Sequence, residues 1–219
     1  MVHFGVIIRE GIYGLKLSRE KYAIINNKNS LGRFNSLKEA YADEDANYYT
    51  EEWCNSYRKL CLENFDLNMK FFQSLNHDEF EEEIQRFLKK NKKFVEVHDL
   101  KQYNGVSGYY LMVLDQYCQI YVGTTDNIKR RIQQHWTKIK SFDRLLFPMY
   151  AVNKSILSID SFRALDTTRI FAYKTSNLYN LEDRYIKTFS SKFLSNRISG
   201  GKLEDGLLGI ADVKSRDLI

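Results

Sequence analysis

The sequence predicts an α+β protein: a small antiparallel β-sheet flanked by helices, preceded by a mainly helical N-terminal module with a small β element. Three observations lead there. Hydrophobic periodicity is helical through much of the first hundred residues and becomes strand-like around residues 94–107. Two β-prone runs, residues 109–114 and 119–122, flank a short polar turn at 115–118, as an antiparallel hairpin requires. Helical patterns over residues 127–140 and 181–193 then follow the hairpin.

In chain order, residues 3–9 and 12–17 read as short extended segments broken at Glu10-Gly11, and residues 22–25 as a third that ends in a turn-rich stretch. Ser36 with Glu39 three positions on forms a capping box for a helix. Trp53, Tyr57, Leu60 and Cys61 recur at helical spacing, and Asp78 caps a further helix whose acids lie early and lysines late, which suits the helix dipole. The texture changes in the basic stretch 89–93. The expected organisation is an accessory module at 1–92, a second domain at 93–205 and a loosely held tail at 206–219. No Pro- or Ser-rich linker separates the first two, so they should pack together.

Composition narrows the class. The 219 residues are 43% hydrophobic and 14% aromatic, enough for a core and too much for a disordered chain. No apolar run is long enough to span a membrane, and no basic leader precedes the short apolar stretch near the start. Three cysteines without CxxC spacing predict neither a disulfide framework nor a zinc site, and so a reducing, cytoplasmic setting. Residues 1–100 hold 15 Lys+Arg against 17 Asp+Glu, a net of −2, whereas residues 101–219 hold 18 against 11, a net of +7. A basic second half fits an anionic partner, of which nucleic acid is the commonest.

The two later helices separate their charged residues in a telling way. Ile128, Ile132, Trp136 and Ile139 form one stripe, with Arg131 and His135 one turn apart on its edge and Arg130 facing away. On the second helix Leu181, Tyr185, Ile186, Phe189 and Phe193 share a face, and Glu182 falls in the middle of it while Asp183 lies outside. A carboxylate on an apolar face needs a cation, either a metal or an arginine.

These residues resemble the GIY-YIG nuclease family. The resemblance runs over residues 106–202: GYY (108–110), YVG (121–123), the helix with Arg131 and His135, Glu182, and Asn196 in NRISGG. The literal GIY at 11–13 lies too far from Tyr121 to share a hairpin with it and is a decoy. Tyr109 stands where the family pattern has Ile. Arg144 stands near the place where the family often carries a second histidine, and it cannot act as a base at neutral pH.

The resemblance implies a divalent-metal-dependent DNA endonuclease that leaves 5′-phosphate and 3′-hydroxyl ends, in restriction or defence or in a mobile element of a bacterial or phage-type source. A structure-specific repair or recombination nuclease, a non-catalytic nucleic-acid-binding protein on the same scaffold, and an interaction protein acting through its first hundred residues are the competing expectations. Glu182 is the expected ligand of Mg²⁺, or Mn²⁺, since carboxylates suit hard cations. Tyr110 is the expected general base, relayed by His135, with Tyr121 positioning water or phosphate; the reverse assignment of the tyrosines stays open. Arg131 would hold the phosphate oxygens, and Asn196 would orient the site. Lys129, Arg130, Lys138, Lys140 and Arg144 are the expected phosphate contacts along the DNA, more readily double-stranded DNA, with a homodimer as one way to cut both strands.

Overall fold

The computed structural model describes residues 1–25, 49–138, 140–147, 152–178, 181–197 and 216–218. The expected turn at 26–32 and the Ser36–Glu39 capping box lie outside the described residues.

A four-stranded antiparallel sheet organises the molecule: β3 (Val95–Glu96), β4 (Gly108–Leu114), β5 (Gln119–Thr125) and β6 (Arg169–Lys174), in the spatial order β3-β6-β4-β5. The architecture is α+β, as the sequence predicts. Strand β4 is central and buried along its whole length. Its alternate side chains feed two cores, and for that reason GYYLMVL reads as an unbroken apolar run rather than as alternation. Tyr110, Met112 and Leu114 point to one face with Ile128, Ile132 and Trp136. Tyr109, Leu111 and Val113 point to the other with Phe80, Ile84, Phe87, Tyr185 and Phe193. The hairpin forms as expected, through a 3₁₀ turn at Asp115–Tyr117 and a left-handed Cys118 (φ 48).

Helices from the first hundred residues cover both faces of this sheet. Helix α2 (Glu51–Gln73) is capped by Thr50, whose side chain accepts from Trp53 N at 3.1 Å, and it buries Cys54, Tyr57, Cys61 and Phe65 in the first core. Helix α3 (His77–Lys90) lays Phe80, Ile84 and Phe87 on the opposite face. Each such Phe or Ile contributes about 1.5–3 kcal/mol by leaving water. Both cores draw residues from either side of position 92, so packing is continuous across that position. Asn76 caps α3 instead of Asp78, which stands in the first turn; Leu60 is 38% exposed and off the stripe.

Several expected elements take other forms. Residues 3–9 fold as a two-stranded hairpin, β1 (Val2–His3) with β2 (Val6–Ile7), turned at Phe4-Gly5 with both φ positive. Residues 12–17 form no strand, because Leu15 and Leu17 are engaged by the 163–166 turn: Leu165 N donates to Leu15 O and Leu17 N to Asp166. Arg19–Tyr22 is the short helix α1, with Tyr22 packed on Phe65, where an extended segment was expected from residue 22. Within the expected loose tail, residues 216–218 are held: Arg216 donates to Gln119 and Lys192 and lies over Phe71, and Leu218 is 3% exposed.

Helix α2 ties down residues 143–146 and 152–157. Asn64 and Asn68, one turn apart and fully buried, donate to Ser155 O at 2.6 and 2.9 Å, and Asn68 also accepts from Leu157 N. Tyr57 donates to Asp143 O at 3.1 Å and accepts from Leu146 N. Helix α2 thus holds the backbone at residues 143, 146, 155 and 157 on its own face of the sheet.

Candidate active site

The site begins with two glycines of the hairpin. Gly108 sits at φ 156, and a Cβ there would meet Tyr173 O at 2.1 Å, so only glycine lets β4 approach β6. Gly123 pairs with Tyr110 across the β4–β5 ladder, and a Cβ on it would come within 2.5 Å of the Tyr110 hydroxyl end. The missing side chain at 123 is the floor on which the Tyr110 ring lies.

Tyr110 and Tyr121 therefore share the face covered by α4 (Ile128–Thr137), their ring centres 6.1 Å apart. Asn127 caps α4, accepting from Arg130 N at 3.0 Å. Ile128, Ile132 and Trp136 are buried as the periodicity predicts, and the helix ends at Thr137, short of residue 140. Arg131 and His135 project from α4 over the tyrosines. The Tyr110 hydroxyl meets His135 Nε2 at 2.8 Å, and Tyr121 stands edge-on to the imidazole at 4.9 Å between centres. The Arg131 guanidinium lies against both hydroxyls and favours their ionised forms.

The electrostatics oppose easy ionisation. Burial pushes the Tyr110 hydroxyl well above its ordinary value, with the Tyr121 and Glu182 charges adding and Arg131 opposing. Tyr121, half-buried, is pushed up to about 12, first by burial and then by Glu182. Burial also lowers the His135 pKa, so the imidazole is neutral at pH 7 and able to accept a proton.

Behind His135 stands a residue that the sequence reading missed. Asp160, in the 3₁₀ turn Ile159–Ser161, meets His135 Nδ1 at 2.7 Å. Its carboxyl is held below the usual range: burial alone would raise it, but the His135 hydrogen bond and charge and the Lys140 and Lys138 charges prevail. The signal was an acid set between Ile159 and Phe162, both buried.

Glu182 lies at the start of α5 (Glu182–Ile186), half-buried, and its charge acts on Tyr109, Tyr110 and Tyr121. The expected long helix stops at Ile186, and a separate 3₁₀ turn covers Ser191–Phe193, so Glu182 stands in a first turn and not mid-face. Acids are favoured at that position. Among the described residues no group of three or more His, Cys, Asp and Glu is placed to hold a metal ion. One carboxylate does match a hard cation such as Mg²⁺, which takes one or two protein carboxylates and otherwise keeps water and phosphate oxygens.

Asn196 is buried, and both ends of its amide are engaged with one residue of β5: Val122 N donates to Oδ1 at 3.0 Å, and Nδ2 donates to Val122 O at 2.8 Å. It satisfies the outer edge of β5 between Tyr121 and Gly123, and so fixes the strand rather than reaching into the site. Of the expected phosphate contacts, Lys138 and Arg144 are exposed, Lys129 is half-buried, and Arg130 is exposed and pairs with Asp126 at 2.9 Å.

Lys140 differs from these. It is half-buried in a pocket with Tyr13, Lys21, Asp160 and Arg163. Its ammonium is pushed down to about 7 by burial and by Arg197, Lys138 and Arg144, with Asp160 opposing. Above pH 7 and below the ordinary lysine value, the unfolded chain then binds a proton that the folded chain does not. Stability should rise with pH in that window, by at most about 1.4 kcal/mol per unit. Lys140→Met should flatten the rise. Urea midpoints of both proteins at about pH 7.5 and about pH 9 test this, and equal slopes would refute it.

Residues 107–196 match the family model of the GIY-YIG catalytic domain. No curated protein and no solved structure matches the chain.

Proposed function

We propose, from residues 107–196 being a GIY-YIG catalytic domain and hence a nuclease domain, that this chain is a divalent-metal-dependent DNA endonuclease leaving 5′-phosphate and 3′-hydroxyl ends. The observation that carries the reading is the convergence of Tyr110, Tyr121, Arg131 and His135 on one face of the β4–β5 hairpin, with the Glu182 charge acting on both tyrosines.

In this reading Tyr110 is the general base and His135 takes its proton. The hydroxyl lies 2.8 Å from His135 Nε2, and in this reading it donates to the neutral imidazole. Once the proton sits on Nε2, the phenolate can take a proton from water as the water oxygen bonds to phosphorus and the bond from phosphorus to the 3′ oxygen breaks, the leaving oxygen taking its proton from solvent to become the 3′-hydroxyl. Tyr121, the less buried of the two residues, orients the water or phosphate. Arg131 holds non-bridging oxygens and offsets the charge that grows on them. Glu182 would hold the Mg²⁺ or Mn²⁺, which when bound supplies charge compensation at the phosphate and the leaving oxygen.

Lys129, Arg130, Lys138 and Arg144 supply phosphate contacts that position DNA without reading its sequence. One such site cuts one strand, so a double-strand break needs two copies or two visits. The setting we infer is restriction, defence or a mobile element, on the family resemblance. A reducing compartment suits Cys54, Cys61 and Cys118, which are buried and joined by no disulfide. No described helix is long and apolar enough to cross a membrane.

The test is cleavage of plasmid and single-stranded DNA with Mg²⁺, with a chelator as control and the ends identified by ligation. Ligatable 5′-phosphates formed only with the metal support the reading. No cleavage of either substrate, or cleavage indifferent to chelation, would overturn it.

A further inference from the structure

We infer that Asp160 is a positioning residue for this reaction: its carboxylate holds His135 in the Nδ1–H tautomer, which leaves the Nε2 lone pair aimed at the Tyr110 hydroxyl. The inference rests on the nuclease reading for its purpose and on geometry for its content.

The three groups form an unbroken line, Asp160 Oδ1 to His135 Nδ1 at 2.7 Å and His135 Nε2 to Tyr110 at 2.8 Å. His135 is 2% exposed and Asp160 17% at their side chains, so water competes little for either contact. An ionised carboxylate only accepts hydrogen bonds, and this assigns the proton between Asp160 and His135 to Nδ1. Nε2 is then an acceptor, and the Tyr110 hydroxyl must donate to it. The opposite tautomer would point an N–H at Tyr110 and leave the tyrosine proton with no taker.

The surroundings keep Asp160 ionised. Lys140 and Lys138 face it along with His135, and Arg163 reaches its backbone carbonyl at 2.6 Å. His135 in turn is faced by Arg131 and Lys138, which disfavour its charged form, and by Tyr110 and Tyr121. The Asp160 charge supports an imidazolium there. When the tyrosine proton arrives on Nε2, the resulting cation sits against that carboxylate, and Asp160 itself stays unprotonated.

The backbone delivers the carboxylate rigidly. Arg163 gathers Asp160 O, Trp136 O and Lys138 O, so one guanidinium joins the 160 turn to the end of α4, where His135 sits. The same loop is fastened to α2 through Asn64 and Asn68. The N-terminal half therefore carries the support of the proton acceptor.

Two measurements test the assignment. The nitrogen-15 shifts of the His135 ring in the wild-type chain should report the Nδ1–H tautomer, and Asp160→Asn should disturb it. In cleavage, Asp160→Asn should lower kcat about a hundredfold or more with KM little changed. Since Asp160 raises the His135 pKa, its loss should also move the acid limb of kcat/KM to lower pH, a shift that mere loosening of the loop would not produce. A wild-type Nε2–H tautomer, or an Asp160→Asn enzyme with wild-type rate and pH profile, would overturn the inference. Should the wild-type chain cut nothing, the nuclease reading falls, and the ring shifts alone decide the assignment: Nδ1–H lost on Asp160→Asn upholds it, and Nε2–H overturns it.

Discussion

Arg131→Ala is expected to slow phosphodiester cleavage by about a thousandfold, or about 4 kcal/mol in the transition state. Two losses add at this position. The guanidinium is the cation held against both tyrosine hydroxyls, and its removal makes the tyrosinate needed from Tyr110 harder to form. It is also the group on the site face able to hold phosphate oxygens through a planar fork of donors. Arg131→Lys should recover less than a tenth of the lost rate, because a point ammonium cannot serve two hydroxyls and a phosphate in one plane. Stability should change little, since the side chain is half-buried on the edge of α4, whose core contacts come from Ile128, Ile132 and Trp136. Single-turnover rates at saturating protein, with DNA binding measured by gel shift, separate chemistry from affinity. A variant that keeps a tenth of the wild-type rate would remove Arg131 from the chemistry.

The parts of this site that were legible in the sequence are those set by short-range geometry. Period two places Tyr110 and Tyr121 on adjacent strands of a hairpin, and period 3.6 places Arg131 and His135 one turn apart on the edge of a buried stripe. The structure keeps those relations because no longer-range contact competes with them. Glu182 shows where such reasoning stops. Its place in the middle of an apolar face assumed a helix continuing to Phe193, but α5 ends at Ile186, and the later aromatics reach the core through a separate 3₁₀ turn.

Asp160 and the first twenty-five residues were illegible for a different reason. Their conformations depend on partners far away in the chain. Asp160 lies in a loop whose shape is set by Asn64 and Asn68 some ninety residues before it. The apolar residues near the N-terminus look like strands, yet Phe4 packs on Trp136, His3 Nε2 donates to Thr167 O, and Leu15 serves the 163–166 turn. Charge composition does not distinguish Lys140 from its exposed neighbours: it lies half-buried in a pocket with Asp160 and Arg163.

Arg197→Met is expected to destabilise the fold by about 3 kcal/mol. Arg197 is 7% exposed and donates to three backbone carbonyls, Ile156 O at 2.6 Å, Arg144 O at 3.1 Å and Leu145 O. Its neighbour Asn196 closes the edge of β5 at Val122. The pair thus clamps β5 to both ends of the 144–156 stretch that leads to Asp160. Methionine would fill much of the volume and relieve the cost of burying a cation, which acts in favour of the variant. Against it, three carbonyls would lose their donors inside a core that water reaches poorly, and each such loss costs about 1–3 kcal/mol. The second effect wins because three carbonyls, of Arg144, Leu145 and Ile156, lose their donor at once. Arg197→Lys should recover only part of the loss, since one ammonium cannot span acceptors that the guanidinium reaches through Nε and both terminal nitrogens. Urea unfolding of the three proteins, with slopes compared to confirm a common transition, decides the matter. A loss below about 1 kcal/mol for Arg197→Met would mean that the carbonyls find water, and that the 144–156 stretch is held by Tyr57, Asn64 and Asn68 instead.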